Sequence, residues 1–200
     1  MATLLLARHG ETDWNRDHRW QGHTGPRLNE AGRSQAASLA ARIRRIDAVY
    51  SSDTERAYET AVILAERHGL TVQTDARLRE VNFGLWEGLT RAEINTRFAG
   101  VFSRWLRGEG PPPEGGESDK AMAERVLAAL REIADRHRDE RVLVVTSGGP
   151  IRAVEALLRG VDQARARRLV ETVPNCSIVE LVIRDGAWSR SRSAPRCMDS

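Results

Sequence analysis

Short apolar runs alternate with longer segments of helical spacing, and this alternation constrains the fold more than any other feature of the chain. The apolar runs that we predict to be strands are residues 3–7, 48–51, 71–74 and 142–146. The segments with helical patterns are residues 30–46, 53–67, 118–136 and 150–159. Strands that alternate with helices form a mostly parallel sheet with helices packed on it. The sequence therefore predicts an α/β fold, a three-layer sandwich with helices on both faces of a mostly parallel sheet.

The predicted elements follow one another without a break that would separate two domains. A chain of 200 residues fits one domain, which we place at residues 1–190, followed by a polar, basic tail over residues 191–200. Residues 177–183 and 187–192 are predicted to close the sheet as a final pair of strands. Residues 91–117 are predicted to be a helical insertion that acts as a lid. Its aromatic residues, Phe98, Phe102 and Trp105, are equally compatible with packing in the core.

Composition excludes several classes of protein. No apolar run approaches the ~20 residues of a membrane helix, so we expect no membrane partner. The net charge is +3, but arginines and acids are interleaved along the chain, which argues against a nucleic-acid partner. The first residues do not form a signal-peptide pattern, so we expect a cytoplasmic location. Two cysteines, Cys176 and Cys197, are predicted to be free thiols rather than a metal site.

Residues directly after the predicted strands are the natural place to look for a site, because ligands of parallel sheets bind at the carboxyl ends of strands. These positions hold Arg8-His9-Gly10, Ser51-Ser52, the loop over residues 75–80, and Ser147-Gly148-Gly149.

The run Arg8-His9-Gly10-Glu11-Thr12 is the sharpest signal in the chain. A histidine held at a strand end can attack phosphorus through an imidazole nitrogen. The adjacent arginine offers a planar fork to phosphate oxygens, and Gly10 lets the backbone approach a ligand closely. The alternative is a buried histidine that only caps a loop. The run thus favours phosphoryl chemistry.

Two further positions supply the groups that such chemistry needs. Arg56 follows the second strand, in the first turn of a helix for which Asp53 is the expected N-cap. It is either a second fork for the phosphoryl group or a surface arginine paired with Glu59 or Asp53. After the third strand, Glu80 and Glu87 are both candidates for the acid that protonates a leaving oxygen.

At this point the chain resembles the histidine phosphatase superfamily, the phosphoglycerate-mutase-like group. The matching pieces, from residue 7 to about 150, are residues 8–12 with Asn15, Gln21-Gly22, residues 28–32, Ser51-Ser52 with Arg56-Ala57 and Thr60, Leu78, Glu80, Gly84, Glu87-Gly88 and Gly148-Gly149. The resemblance implies one catalytic domain, with His9 as the nucleophile that forms a phosphohistidine and Glu80 as the general acid, later the base. It implies phosphate binding by Arg8, Asn15, Arg56, Ser147 and Gly148, substrate contacts at Gln21 and Gly22, and no metal or cofactor.

One departure from that family pattern affects the expected activity. The family carries a second histidine just before the Gly-Gly pair, and this chain has Ser147 there. A serine donates only a neutral hydrogen bond, and losing one such donor lowers the rate on the order of a hundredfold or more. We expect the amides at the start of the next helix to compensate in part, and His18 or His23 are candidates to reach into the site.

The sequence predicts a phosphomonoesterase that hydrolyses a small phosphorylated metabolite through a phosphohistidine, as a monomer or homodimer. One alternative is a cofactor-dependent phosphoglycerate mutase, although residues 79–84 lack the Arg-His-Tyr-type run that mutases carry after the glutamate. The other is a weakly active or inactive relative that binds a phospho-ligand, because of Ser147.

Overall fold

The computed structural model describes residues 1–184 and 186–191, and six strands form one sheet in the order β3-β2-β4-β1-β5-β6. The strands are β1 (Ala2–Arg8), β2 (Ala48–Ser51), β3 (Val72–Thr74), β4 (Arg141–Thr146), β5 (Ile178–Arg184) and β6 (Ala187–Arg190). The pairs β1–β4, β2–β4 and β2–β3 are parallel, while β5 runs antiparallel to both β1 and β6. The prediction of a mostly parallel sheet is confirmed.

Helices cover both faces of this sheet. They are α1 (Asp13–Arg16), α2 (Glu30–Arg42), α3 (Glu55–Glu66), α4 (Arg91–Leu106), α5 (Asp119–Arg136), α6 (Gly148–Leu158) and α7 (Ala166–Leu169). On β1, Leu5 and Ala7 pack with α2 and α3, whereas Leu4 and Leu6 pack with α5 and α6. Successive residues of a strand point to opposite faces, so a continuous apolar run such as residues 3–7 fills both layers of core. The three-layer sandwich is therefore confirmed.

Helix ends differ from the prediction in places where side chains found other partners. The expected N-cap Asp53 is wrong, because α3 begins after Thr54 and that residue makes no side-chain capping bond. The Asp53 carboxylate instead accepts a hydrogen bond from Arg79 Nε at 2.6 Å. Helix α2 ends at Arg42, where Ile43 turns to extended backbone. Residues 192–200, most of the predicted tail, lie outside the described residues, as does Asp185.

The aromatic residues of the predicted insertion lie in the core. Phe102 and Trp105 are 1% and 5% exposed, and both contact Trp20 and Trp86 at ring-centroid distances of 5.1–5.8 Å. The helix that carries them, α4, begins with a capping box and has a kink at Phe98. This aromatic cluster packs the predicted insertion against the segments that carry Trp20 and Trp86. Within the described residues, no helix is long and apolar enough to cross a membrane.

Candidate active site

The register between β1 and β4 brings the two most informative loop segments together. Arg8 pairs with Thr146 at the ends of these parallel strands, and the His9 amide donates to the Thr146 carbonyl at 2.9 Å. The Thr146 hydroxyl in turn donates to the Leu78 carbonyl at 2.6 Å. The segments after β1, β3 and β4 therefore meet at one edge of the sheet, which is the carboxyl edge of its parallel strands.

His9 is oriented and kept neutral by its surroundings. It is 3% exposed, and its Nδ1 lies 2.7 Å from the Gly10 carbonyl. Since a carbonyl can only accept, Nδ1 carries the proton and Nε2 keeps a free lone pair. Burial, the charge of Arg56 and then the charge of Arg8 hold the pKa of His9 well below its usual value of 6.5. The imidazole is thus neutral, keeps a free lone pair on Nε2, and lies within the electrostatic influence of Arg56 and Arg8.

Arg56 is a buried cation held by backbone oxygens. It is 1% exposed and donates from Nη2 to the Gly22 carbonyl at 2.6 Å and from Nη1 to the Thr24 carbonyl at 3.1 Å. Its expected surface partners are engaged elsewhere, since Asp53 binds Arg79 and Glu59 lies 3.1 Å from Arg33. Among the described residues its Nε has no hydrogen-bond partner. The buried position excludes the surface ion pair, but Arg56 is not among the residues that line the cavity at His9, so its binding of a phosphoryl group stays a prediction.

Arg8 and Asn15 approach His9 from other sides. Arg8 donates from Nη1 to the Val173 carbonyl at 2.7 Å, while its buried Nε has no partner within the described part of the chain. The Oδ1 atom of Asn15 accepts from the Thr12 amide at 3.1 Å and from Asn175 Nδ2 at 3.3 Å. With Oδ1 occupied, the NH2 group of Asn15 is the donor left for an anion. Both side chains line the same cavity as His9.

Only one of the two candidate acids faces this cavity. Glu80 lines the cavity. Its carboxylate accepts hydrogen bonds from the Gly149 amide at 2.8 Å and from the Val81 amide at 2.8 Å. Glu87 accepts instead from the amides of His23, Thr24 and Phe83 at 2.9–3.1 Å. Glu87 therefore braces the loop that holds Arg56, and Glu80 is the carboxyl available to a ligand.

Ser147 and Gly148 place the start of α6 beside His9. Ser147 is the N-cap of this helix, yet its hydroxyl makes no capping bond. The Ser147 Oγ is buried and, within the described chain, has no hydrogen-bond partner. Gly148 lines the cavity, and a Cβ there would lie 3.8 Å from Arg8 Nε. The helix start thus brings Gly148 into the cavity wall, whereas Ser147 is not among the lining residues, and a contact of its hydroxyl with an anion stays a prediction.

Of the remaining predicted residues, some line the cavity and others only contact residues around it. Gln21 lines the cavity and its Oε1 accepts from the Thr12 hydroxyl at 2.9 Å. The Gly22 carbonyl accepts a hydrogen bond from Arg56. His18 lines the cavity, whereas His23 lies 3.6 Å from Glu117. Of these, Gln21 and His18 are the side chains that a ligand can contact.

The cavity also contains cations that sequence reasoning missed. Its volume is about 460 Å³. The additional polar residues on its wall are Arg19, Arg91, Arg152, Arg167 and Thr172. Arg152 lies four positions after Gly148 on the helix that starts at the site, so helical periodicity was a usable signal for it. The segment 166–172 shows no such pattern, because it is a short helix and a loop.

The donor set does not suit a metal ion. No group of three or more His, Cys, Asp or Glu side chains that could bind a metal is found in the described ranges. Cys176 is a free thiol near Arg8, and burial raises its pKa to about 12. This cysteine is therefore a neutral thiol near pH 7 and is a poor nucleophile. The cavity therefore combines several arginine side chains with a neutral imidazole, an arrangement whose chemistry suits an anion.

Comparison with known proteins agrees with this chemistry. Phosphoglycerate mutase-like protein 4 of Arabidopsis thaliana is 39% identical over 192 residues, 92% of this chain and 81% of the relative. Phosphoserine phosphatase 1 of Hydrogenobacter thermophilus is 37% identical over 170 residues, 82% and 80% of the two chains. The solved mycobacterial glucosyl-3-phosphoglycerate phosphatase in complex with VO3 superposes with a TM-score of 0.85 at 35% identity, covering 94% of this chain and 96% of that one. Residues 4–194 match the histidine phosphatase superfamily (branch 1), and the chain belongs to this family.

Proposed function

We propose that this chain is a phosphomonoesterase that hydrolyses a small phosphorylated metabolite through a phosphohistidine at His9. The observation that carries the proposal is the state of that imidazole. Its Nδ1 proton is bound to the Gly10 carbonyl and its pKa is lowered by burial, Arg56 and Arg8. A neutral Nε2 near the buried guanidinium of Arg56 and the half-buried guanidinium of Arg8 combines a nucleophile with an anion site.

In the first step, His9 Nε2 attacks phosphorus and the bond from phosphorus to the ester oxygen breaks. Glu80, as the carboxylic acid, gives its proton to the departing oxygen, so the alcohol leaves neutral. Arg8, Arg56 and Asn15 bind the phosphoryl oxygens as negative charge develops on them. The Ser147 hydroxyl and the Gly148 amide add neutral donors at the start of α6.

In the second step, the Glu80 carboxylate takes a proton from water and the water oxygen attacks phosphorus. The bond between phosphorus and His9 Nε2 breaks, inorganic phosphate leaves, and both side chains return to their starting states. The Gly149 amide holds Glu80 at 2.8 Å, which keeps the same carboxyl within reach of both proton transfers.

Two alternatives keep specific observations in their favour. A mutase is suggested by the Arabidopsis relative, but the absence of the Arg-His-Tyr-type run after Glu80 favours hydrolysis. A weakly active phospho-ligand binder is suggested by Ser147, whose neutral hydroxyl stands where the family pattern has a histidine. The relatives named as phosphoserine and glucosyl-3-phosphoglycerate phosphatases support the phosphatase. A cytoplasmic location, a monomeric or homodimeric state, and a lid role for residues 91–117 belong to this proposal.

Phosphate release from a panel of sugar phosphates, phosphoglycerates, phosphoamino acids and nucleotides tests the function. We expect turnover of at least one class, and its loss in His9→Ala. Tight binding of inorganic phosphate without turnover of any compound would favour the binding protein. Phosphate release that persists in His9→Ala would exclude His9 as the nucleophile.

A further inference from the structure

The carboxyl group of Glu80 belongs to a loop that is held by a charged side chain outside the cavity. We define the Glu80 loop as residues 77–82, which contain no strand and no α-helix. A catalytic group on such a loop is only as well placed as the peptide groups around it. We propose that Arg125, on α5, is a positioning residue that orients the Glu80 carboxyl, an inference that rests on the proposed function of Glu80 as the acid.

Arg125 donates to three carbonyl groups of the Glu80 loop. Its Nη1 donates to the carbonyl of Arg77 at 2.7 Å and to that of Arg79 at 2.8 Å. Its Nη2 donates to the carbonyl of Glu80 itself at 2.8 Å. Because a guanidinium presents its N–H groups in one fixed plane, three bonds from it to one loop set the orientation of these peptide groups as well as their position.

The guanidinium of Arg125 is in turn oriented by Glu117, the residue before the N-cap of α5. One oxygen of Glu117 accepts from Arg125 Nε at 3.1 Å and the other accepts from Nη2. Glu117 also binds the far end of the loop, since its carboxylate accepts from the Asn82 amide at 2.9 Å and its own amide donates to the Asn82 carbonyl at 3.0 Å. Both charged side chains are 21% exposed. A two-point pair of this kind is geometrically specific, and it holds the loop on both sides of Glu80.

The other anchors of the loop fix its depth in the protein rather than the direction of the Glu80 side chain. Leu78 and Val81 have no exposed surface and pack in the core. The Thr146 hydroxyl donates to the Leu78 carbonyl at 2.6 Å, which lies one peptide group before those that flank Glu80. The orientation of the flanking peptide groups therefore depends on Arg125.

The peptide group between Glu80 and Val81 connects Arg125 to the carboxyl. In a planar trans peptide the C=O and N–H groups point in opposite directions. The carbonyl of this group accepts from Arg125, and its N–H donates to Glu80 Oε1 at 2.8 Å. The other carboxyl oxygen, Oε2, accepts from the Gly149 amide at 2.8 Å. Without Arg125 this peptide group is free to rotate, and the carboxyl loses one of its two amide donors.

The first test measures kcat/KM of Arg125→Gln for two substrates, an alkyl phosphomonoester that the protein hydrolyses and p-nitrophenyl phosphate. We expect a loss of about 10- to 100-fold for the alkyl ester, because its leaving oxygen needs the proton of a well-placed acid. For p-nitrophenyl phosphate, whose leaving group needs little protonation, the loss should be less than about 3-fold. The matched control is Arg136→Gln, at the last residue of the same helix, where the side chain is 64% exposed; it should keep both wild-type values. Equal losses for the two substrates, as a purely structural role would give, or no loss for the alkyl ester, would overturn the proposal.

A double-mutant cycle with Glu80→Gln shows whether Arg125 acts through the acid. Once the acid is removed its position no longer matters, so adding Arg125→Gln to Glu80→Gln should lower kcat/KM for the alkyl ester by less than about 3-fold. A further loss as large as that of Arg125→Gln alone would exclude the proposed coupling. If Glu80→Gln itself keeps the wild-type rate, the proposed function of Glu80 fails; if only Arg125→Gln keeps it, this inference alone fails.

Hydrogen exchange tests the geometry without turnover. The amides of Gly149 and Val81 both donate to the Glu80 carboxylate. In Arg125→Gln both should exchange about 10-fold or more faster, the range for a lost hydrogen bond to a charged group. The His9 amide, which binds a β4 carbonyl at the same edge of the sheet, should keep its wild-type rate. Unchanged exchange of Gly149 and Val81 would overturn the proposal even if no substrate is hydrolysed.

Arg125→Lys keeps the test decisive if Arg125→Gln does not fold. Lysine keeps the positive charge beside Glu117 but has no planar fork, so it cannot orient three carbonyls together. We expect the alkyl ester to lose about 3-fold or more in kcat/KM while p-nitrophenyl phosphate keeps its value. A lysine variant with wild-type values for both substrates and wild-type exchange of the Gly149 amide would contradict the proposed role.

Discussion

Replacing Gly149 with alanine should lower the catalytic rate strongly while changing the free energy of unfolding little. A Cβ at position 149 would lie 1.9 Å from Glu80 Oε1, and an ordinary contact is 3.4 Å or longer, so the carboxylate must move by about 1.5 Å. The atom that moves is the far end of a flexible side chain rather than backbone. The free energy of unfolding should therefore change by less than about 1 kcal/mol, the scale of a glycine-to-alanine change in a helix.

The catalytic loss should be much larger, because Glu80 is the proposed proton donor. A misplacement of about 1 Å can lower a rate by roughly 100-fold, and a general acid contributes about 10²–10⁴-fold. An alkyl phosphomonoester, whose alkoxide leaves poorly without a proton, should lose about 100-fold or more in kcat/KM. For p-nitrophenyl phosphate, whose leaving group needs little protonation, the loss should be less than about 10-fold.

The assay measures kcat/KM for both substrates, together with urea denaturation. Gly100→Ala is the matched control, since this glycine lies inside α4 and a Cβ there meets nothing within 4 Å. It should leave both kcat/KM values unchanged and stabilise the fold by about 0.5–1 kcal/mol. Equal losses for the two substrates in Gly149→Ala, or no loss at all, would refute the assignment of Glu80 as the acid.

Three other changes test separate parts of the account. Ser147→His should raise kcat about 100-fold with folding preserved, because a charged donor replaces an unpartnered hydroxyl; an unchanged kcat in a well-folded variant would show that this donor does not limit the rate. The low pKa of His9 means that the unfolded state binds a proton on this imidazole more readily than the folded state does. The free energy of unfolding of the wild type relative to His9→Gln should therefore be highest above about pH 6.5 and decrease as the pH falls. A difference that stays constant in urea titrations between about pH 8 and pH 5 would contradict the burial of a neutral imidazole. Trp86→Ala should lower the free energy of unfolding by about 3–5 kcal/mol, because this 1% exposed ring contacts Trp20, Phe102 and Trp105; a urea midpoint close to that of the wild type would show that the aromatic cluster is not a cooperative part of the core.

Local patterns were sufficient to predict the strands, most helices and the meeting of loops at one edge of the sheet. Their success rests on periodicity, since the apolar runs at residues 3–7 and 142–146 have no place except the centre of a sheet covered on both faces. The N-cap at Asp53 failed because a long-range partner, Arg79, competes for that carboxylate, and local spacing carries no information about such a partner.

The choice between Glu80 and Glu87 also required the tertiary structure. Both glutamates follow the same strand, and what separates them is which backbone amides they bind. Arg167 and Thr172 come from a segment with no strand or helix pattern near the motifs. Their place on the cavity wall depends on how the chain returns after α6, which only the tertiary fold defines.

Trapping the covalent intermediate tests the central claim most directly. The protein is mixed with a phosphomonoester that it hydrolyses, quenched rapidly in alkaline denaturant, where phosphohistidine survives, and digested for mass spectrometry. The account predicts a phosphoryl group on His9, formed during turnover and missing in His9→Ala. Phosphate on another residue, or steady turnover by His9→Ala, would contradict it.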